Sequence, residues 1–310
     1  MVRRAAAALV VFSSVLLLTS CLARRRLITR NKAAPSQRLL TADKASLLAA
    51  VERQYQSIQT LSATVDMVPA IGSVNKGKIT EYKDVTAYIL YKKPSDIRII
   101  GLYPVVRNKA FDMVSNGTDF QLFVPAKNRF IIGTNEPLAK PAPDKLENLR
   151  PSVFLDALLV RPPAPTDQVV LADLTDEDNA DYILHILNTG SDGQLRLVRW
   201  IWFDRTNLQM ARQILFDPKG EILTDARYTD WSTFDGVSFP KVIDINRPQD
   251  EYGVVITVVK ATINKSITNE KFTLQQPEGT VLQVLGAKKD QPPPPQPVGG
   301  SSASRKKKPE

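Results

Sequence analysis

From Leu61 onward the chain repeats one motif, a short stretch in which apolar and polar side chains alternate, closed each time by a turn-forming run. Alternation with a period of two marks strands that bury one face, and turns this short force neighbouring strands to run antiparallel. Strands are expected at 61–68, 78–92, 97–102, 111–115, 120–124 and 129–132. They resume at 182–187, 195–203, 210–217, 221–231, 241–246 and 254–263. Lys93-Pro94-Ser95, Asp192-Gly193, Pro218-Lys219-Gly220 and Asp235-Gly236 supply turns, and Asn116-Gly117 is the strongest short hairpin signal.

Two segments depart from this period. Leu47, Leu48, Val51, Tyr55 and Ile58 fall on one face of a helix that Thr41 can cap and that runs to about Gln59. Its other face carries Asp43, Glu52 and Arg53, which favours packing on a sheet over lying in a membrane. Pro151 then opens a short apolar helix with Val153, Phe154, Ala157, Leu158 and Val160, stopped by Pro162 and Pro163. Residues 134–150 read as a polar, proline-rich loop, and Asp173 to Asp181 as an acidic one. About a dozen strands and two helices make an antiparallel meander, highly curved or partly closed, with the helices on one side. With a single cysteine, the chain must hold together by core burial rather than by internal disulfides.

That cysteine closes the first segment. Arg3 and Arg4 precede the apolar run Ala5 to Leu18, too short with these flanks to span a bilayer, and Leu18-Thr19-Ser20-Cys21 follows. The segment resembles the lipobox of bacterial lipoprotein signal peptides. The resemblance implies a signal peptide over 1–20, cleaved before Cys21, whose sulfur carries a diacylglycerol and whose new amine is acylated. At about 0.8 kcal/mol per buried CH₂, three such chains, palmitate-length or similar, anchor a protein essentially permanently. Leu22 is not the aspartate that retains enteric lipoproteins at the inner membrane, so the outer membrane is favoured, facing the periplasm.

Residues 21–40 form a basic linker and 286–310 a disordered tail, first Pro-rich, then Gly/Ser-rich, then basic. The chain carries +9 overall, with Arg24, Arg25, Arg26, Arg30 and Lys32 beside the anchor. Two readings of that basic run stand side by side, attraction to anionic headgroups and a merely solvated tether. Nucleic acid is not an expected partner of an exported chain.

The folded part, 41–285, resembles the LolA/LolB superfamily of periplasmic lipoprotein carriers and receptors and their lipid-binding relatives. The matching features are the helix ending Tyr55-Gln56-Ser57-Ile58-Gln59-Thr60-Leu61-Ser62-Ala63, Lys93-Pro94 before the strand around Arg98, and the Ser115 to Pro125 hairpin. Phe203-Asp204 through Leu208 and the strands beyond Met210 resemble the second half. The resemblance implies an α+β fold, a curved antiparallel sheet forming an unclosed half-barrel of about 11–12 strands, with helices covering the concave side above an apolar cavity. Candidate cavity residues are Ile89, Tyr91, Phe120, Leu122, Phe154, Leu158, Trp200 and Trp202. Arg98 is the candidate lid contact, because carriers of this superfamily fasten the closed lid with an arginine on an early strand. The receptor's protruding apolar loop has one candidate, Gly101-Leu102-Tyr103-Pro104-Val105-Val106, which reads equally well as a buried strand end.

Catalysis has little to work with. His185, the sole histidine, sits among apolar neighbours in Tyr182 to Leu187, as in a packed strand, and no zinc ligand set exists. Asp173, Asp176, Glu177, Asp178 and Asp181 lack the glycine and alternate spacing of a calcium loop. No catalytic residue, metal or cofactor is expected. The expected activity is binding of acylated lipids or lipoproteins at a membrane reached through Cys21, for their localisation or transfer. The alternative is an envelope module that senses or tethers a protein partner.

Overall fold

The computed structural model describes residues 38–73, 77–81, 84–135, 150–176 and 179–285. The signal peptide, Cys21, nearly all of the linker and the 286–310 tail lie outside them. One compact unit begins at Leu40.

β1 (Thr60–Ser73) is the hub, because it pairs on one side with β3 (Val85–Lys92) and on the other with β14 (Tyr252–Ile263), both antiparallel. From β3 a meander continues through β4 (Asp96–Leu102), β5 (Lys109–Ser115), β6 (Asp119–Val124) and β7 (Arg129–Thr134). A second meander runs through β8 (Gln168–Thr175), β9 (Ala180–Thr189), β10 (Leu195–Asp204), β11 (Gln209–Phe216), β12 (Ile222–Phe234), β13 (Val237–Arg247) and β14. The short β2 (Lys78–Glu81) pairs with the end of β1, and β15 (Val281–Val284) pairs parallel to β7. The result is one open sheet of 15 strands with β15 and β8 at its edges.

Alternation places Leu61, Ala63, Val65 and Met67 of β1, Ala87, Ile89 and Tyr91 of β3, and Ile97 and Ile99 of β4 on one face, all buried in one continuous core. At about 1.5–3 kcal/mol per fully buried large apolar side chain, this face dominates stability. Two helices pack against part of it. Helix α1 (Lys44–Gln56) buries Leu47 and Val51, and α2 (Pro151–Leu158) buries six of its eight residues. α2 touches β4 and β5 as well as β13.

The α+β half-barrel of about 11–12 strands with helices covering the concave side is therefore corrected. The described chain is mostly β, the sheet has 15 strands, and the helices do not cover its concave side. Dimensions give the reason. The fourteen strands that lie side by side span about 62 Å, while helices of 13 and 8 residues are about 20 and 12 Å long. Three strands escaped the pattern. β2 is exposed along its whole length and separate from β3, β8 is a half-exposed edge strand that ends in the supposed acidic loop, and β15 has four residues. The cap of α1 is Asp43 rather than Thr41, its Oδ1 accepting from the Ser46 amide at 2.8 Å.

Candidate functional site

Where α1 meets the chain leaving α2, Tyr55, Ile58, Leu158, Leu159, Val160, Met210, Tyr228, Trp231 and Pro240 line an apolar crevice. The Trp231 indole N–H donates to the Met210 carbonyl at 3.1 Å, fixing the ring at its wall. The open space is about 10 Å³, room for roughly one water. Asp156 and Arg199 are among the charged groups acting on its Tyr228. Gln213 Nε2 donates to the Asp156 carbonyl at 3.0 Å, and Arg199 Nη1 donates to the Arg161 carbonyl at 2.7 Å. The Tyr228 hydroxyl is buried with no hydrogen-bond partner, and burial pushes its pKa up. Burial likewise raises the Asp156 carboxyl, opposed by Arg161 and Arg199.

Of the candidate cavity residues, Ile89, Tyr91, Phe120, Leu122, Phe154 and Leu158 come together in the main core. Trp200 and Trp202 do not join them. Ile201 and Phe203 take the core side of β10, so the two tryptophans face the other way. There Trp200 packs edge-on against His185, Trp202 and Phe216 at ring-centroid distances of 5.1, 5.3 and 4.9 Å, and Arg212 stacks 5.0 Å from Trp202. Burial lowers the pKa of His185.

Arg98 also lies on the face away from the main core. Its Nη1 donates to the carbonyls of Lys271 and Thr273 at 2.8 and 3.3 Å, fastening the C-terminal segment around the short 3-10 turn Asn269–Phe272 rather than an α-helix. Its Nε and Nη2 grip Asp112 at 2.9 and 2.8 Å. Asp112 carried no signal in the sequence, standing as one polar residue in an alternating strand.

The β4–β5 connection is solvent-facing. Tyr103 is 42% exposed, Val105 91% and Val106 64%, so three apolar side chains stand at one tip. On the side of the sheet away from the core, Val68, Ala70, Ile79, Glu81, Asp225, Arg227, Asp244 and Val255 line a second, wider groove of about 300 Å³. No helix among the described residues is long and apolar enough to cross a membrane.

No protein-family model and no curated protein matches the chain. Among solved structures, a DUF1329 family protein from Desulfovibrio piger is similar at TM-score 0.48 and 15% identity, over 74% of this chain and 95% of its own. A LolA superfamily protein from Nitrosomonas europaea gives TM-score 0.48 and 13% identity, over 76% and 99%. A domain described as an outer membrane lipoprotein-sorting protein from Vibrio parahaemolyticus gives TM-score 0.49 and 10% identity, over 73% and 94%. At TM-scores under 0.5, nothing about family or activity rests on these likenesses.

Proposed function

We propose that the protein is a lipoprotein held through Cys21 to the periplasmic side of the outer membrane, where it binds acyl chains of lipids or lipoproteins without making or breaking a bond. The observation that carries this reading is the β4–β5 tip, where Val105 stands almost fully and Val106 about two thirds in water beside Tyr103. Burying what these two valines expose releases about 2–5 kcal/mol. An acylated Cys21 already holds the chain at the surface, so that energy goes into choosing which end of the domain faces the bilayer. An acyl chain would then enter beside Trp231. The crevice there holds about 10 Å³, so entry requires α1 and the Leu158–Val160 segment to separate.

The chain from Leu22, carrying Trp200→Phe and Trp202→Phe, keeps Trp231 as its only tryptophan. Vesicles with brominated acyl chains should quench it saturably, and Val105→Glu with Val106→Glu should weaken the quenching several-fold. Trp231 fluorescence unchanged while the chain floats with the vesicles would remove acyl uptake. Quenching indifferent to the two glutamates would remove the tip. A second reading, an envelope protein partner, is favoured by the band of Trp200, Trp202 and Phe216 beside the exposed Val170 of edge strand β8. Its mark is co-purification lost with Trp200→Ala and kept with Val105→Glu.

A further inference from the structure

The groove on the far side of the sheet is separate from the crevice and from the β4–β5 tip. Its floor crosses β1, β14, β13 and β12, and β2 forms one wall. About 300 Å³ is the lower end of the range for small-molecule sites and the volume of about ten waters. Val68, Ala70, Ile79 and Val255 make the apolar part.

The charged residues are not equivalent. Asp225 is fully engaged, accepting from Arg212 Nε and Nη2 at 2.7 Å each and from Arg227 Nη2 at 3.2 Å. Those bonds hold Arg227 toward Asp225. Asp244, on the neighbouring strand opposite Arg227, receives no hydrogen bond at its carboxylate from any of the described residues, and Glu81 stands exposed at the rim. On a chain of charge +9, the groove thus presents above an apolar floor a carboxylate that Arg227 offsets without hydrogen-bonding it. Burial raises the Asp244 carboxyl with Asp225 adding to the effect, and Arg227 only partly opposes it. An incoming positive charge would relieve that excess. Among the described residues no three ligating side chains converge as a metal would need.

We infer that this groove binds small organic cations, a primary ammonium on a compact apolar body, with the ammonium donating to Asp244 and the body lying on Val68, Ala70 and Val255. A partly buried ammonium–carboxylate contact adds charge-assisted hydrogen bonds, and the apolar floor rewards carbon over water.

The probe is 2-phenylethylamine, titrated by NMR into the chain from Leu22, with 3-phenylpropionate as its counterpart of opposite charge. Saturable binding of the amine and none of the acid is expected, with shifts confined to β1, β2, β12, β13 and β14. Asp244→Asn should weaken the amine tenfold or more. Ala70→Phe, which fills the floor and leaves the carboxylate in place, should abolish binding, so a failure of the first variant to fold does not spare the idea. Equal binding of amine and acid, wild-type affinity in Asp244→Asn, or no saturation by about 10 mM amine would overturn it. None of these outcomes depends on membrane contact or on acyl uptake.

Discussion

Replacing Arg98 by methionine keeps an unbranched stem and removes only the guanidinium, which ties three parts of the chain together. Asp112 is 0% exposed and accepts from Arg98 at 2.9 and 2.8 Å and from Lys109 Nζ at 2.7 Å. The same guanidinium donates to the Lys271 and Thr273 carbonyls. Next to it Val114, Phe130 and Leu274 form a second core, with Phe123, Phe272 and Leu282 packed against it. Removing one partner of a buried pair costs roughly 3–5 kcal/mol, because the remaining charge is left without water or counter-charge. Lys109 stays on Asp112 but is itself 39% exposed, so the lower end, about 3 kcal/mol, is expected. At about 2–4 °C per kcal/mol for a domain of this size, Tm should fall by about 6–12 °C.

Urea denaturation gives the global figure, and hydrogen exchange gives the local one. The Lys271 and Thr273 amides, which close the 3-10 turn at 3.2 Å each, should lose protection before the β1–β14 amides do. Asp112→Leu combined with Arg98→Met should cost about 2 kcal/mol less than the two single changes added together, because neither charge is then stranded. Costs that simply add, or Arg98→Met within about 0.5 kcal/mol of the parent, would show that the second core holds the C-terminal segment without the ion cluster.

Gly117 has φ +97°, and a Cβ there would lie 2.5 Å from Ser95, whose hydroxyl donates to the Asn116 carbonyl at 2.6 Å. Gly117→Ala should cost about 1–3 kcal/mol in urea denaturation, and an unchanged midpoint would mean the β5–β6 turn relaxes freely. His185 has a pKa lowered by burial, so the folded state binds fewer protons than the unfolded one. Its contribution is present above the unfolded value, near 6.5, and is lost as pH falls through 6.5 toward the folded pKa. His185→Phe should flatten the fall in stability on acidification through that window, and a slope identical to the parent's would place its cause elsewhere.

Much of the sheet could be read from side-chain alternation because its central strands bury one face completely. Ile89 and Tyr91, or Ile97 and Ile99, could only be a core face, and Pro151 marked the start of a helix that its buried residues then explain. The edges were illegible for the converse reason. β2, β8 and β15 bury little, so their sequences obey no period. The site residues divided on the same principle. Alternation says that Trp200 and Ile201 face opposite ways but not which face meets the helices, and here Ile201 does. Arg98 and Asp112 stand on consecutive strands, but alternation does not give their register, and Lys271 lies 173 residues from Arg98, so nothing local could have joined it to them.

The width of the sheet bears on where binding can occur. Two short helices can pack on one face over only a few strands, and where they do so the crevice beside Trp231 has room for about one water. The opposite face is divided into three. The C-terminal segment covers it over β4 to β7, the groove containing Asp244 lies over β1, β14, β13 and β12, and the tryptophan band lies over β9 to β11. Any ligand on the filled face must first displace buried carbon, at about 25 cal/mol per Å² of surface exposed, whereas the far face offers about 300 Å³ already open. On the proposed function, acyl chains would bind only as fast and as tightly as α1 and the Leu158–Val160 segment part. The organic cations proposed for the far-face groove would meet no such barrier, and the two kinds of binding should respond independently to a cross-link between α1 and Leu159.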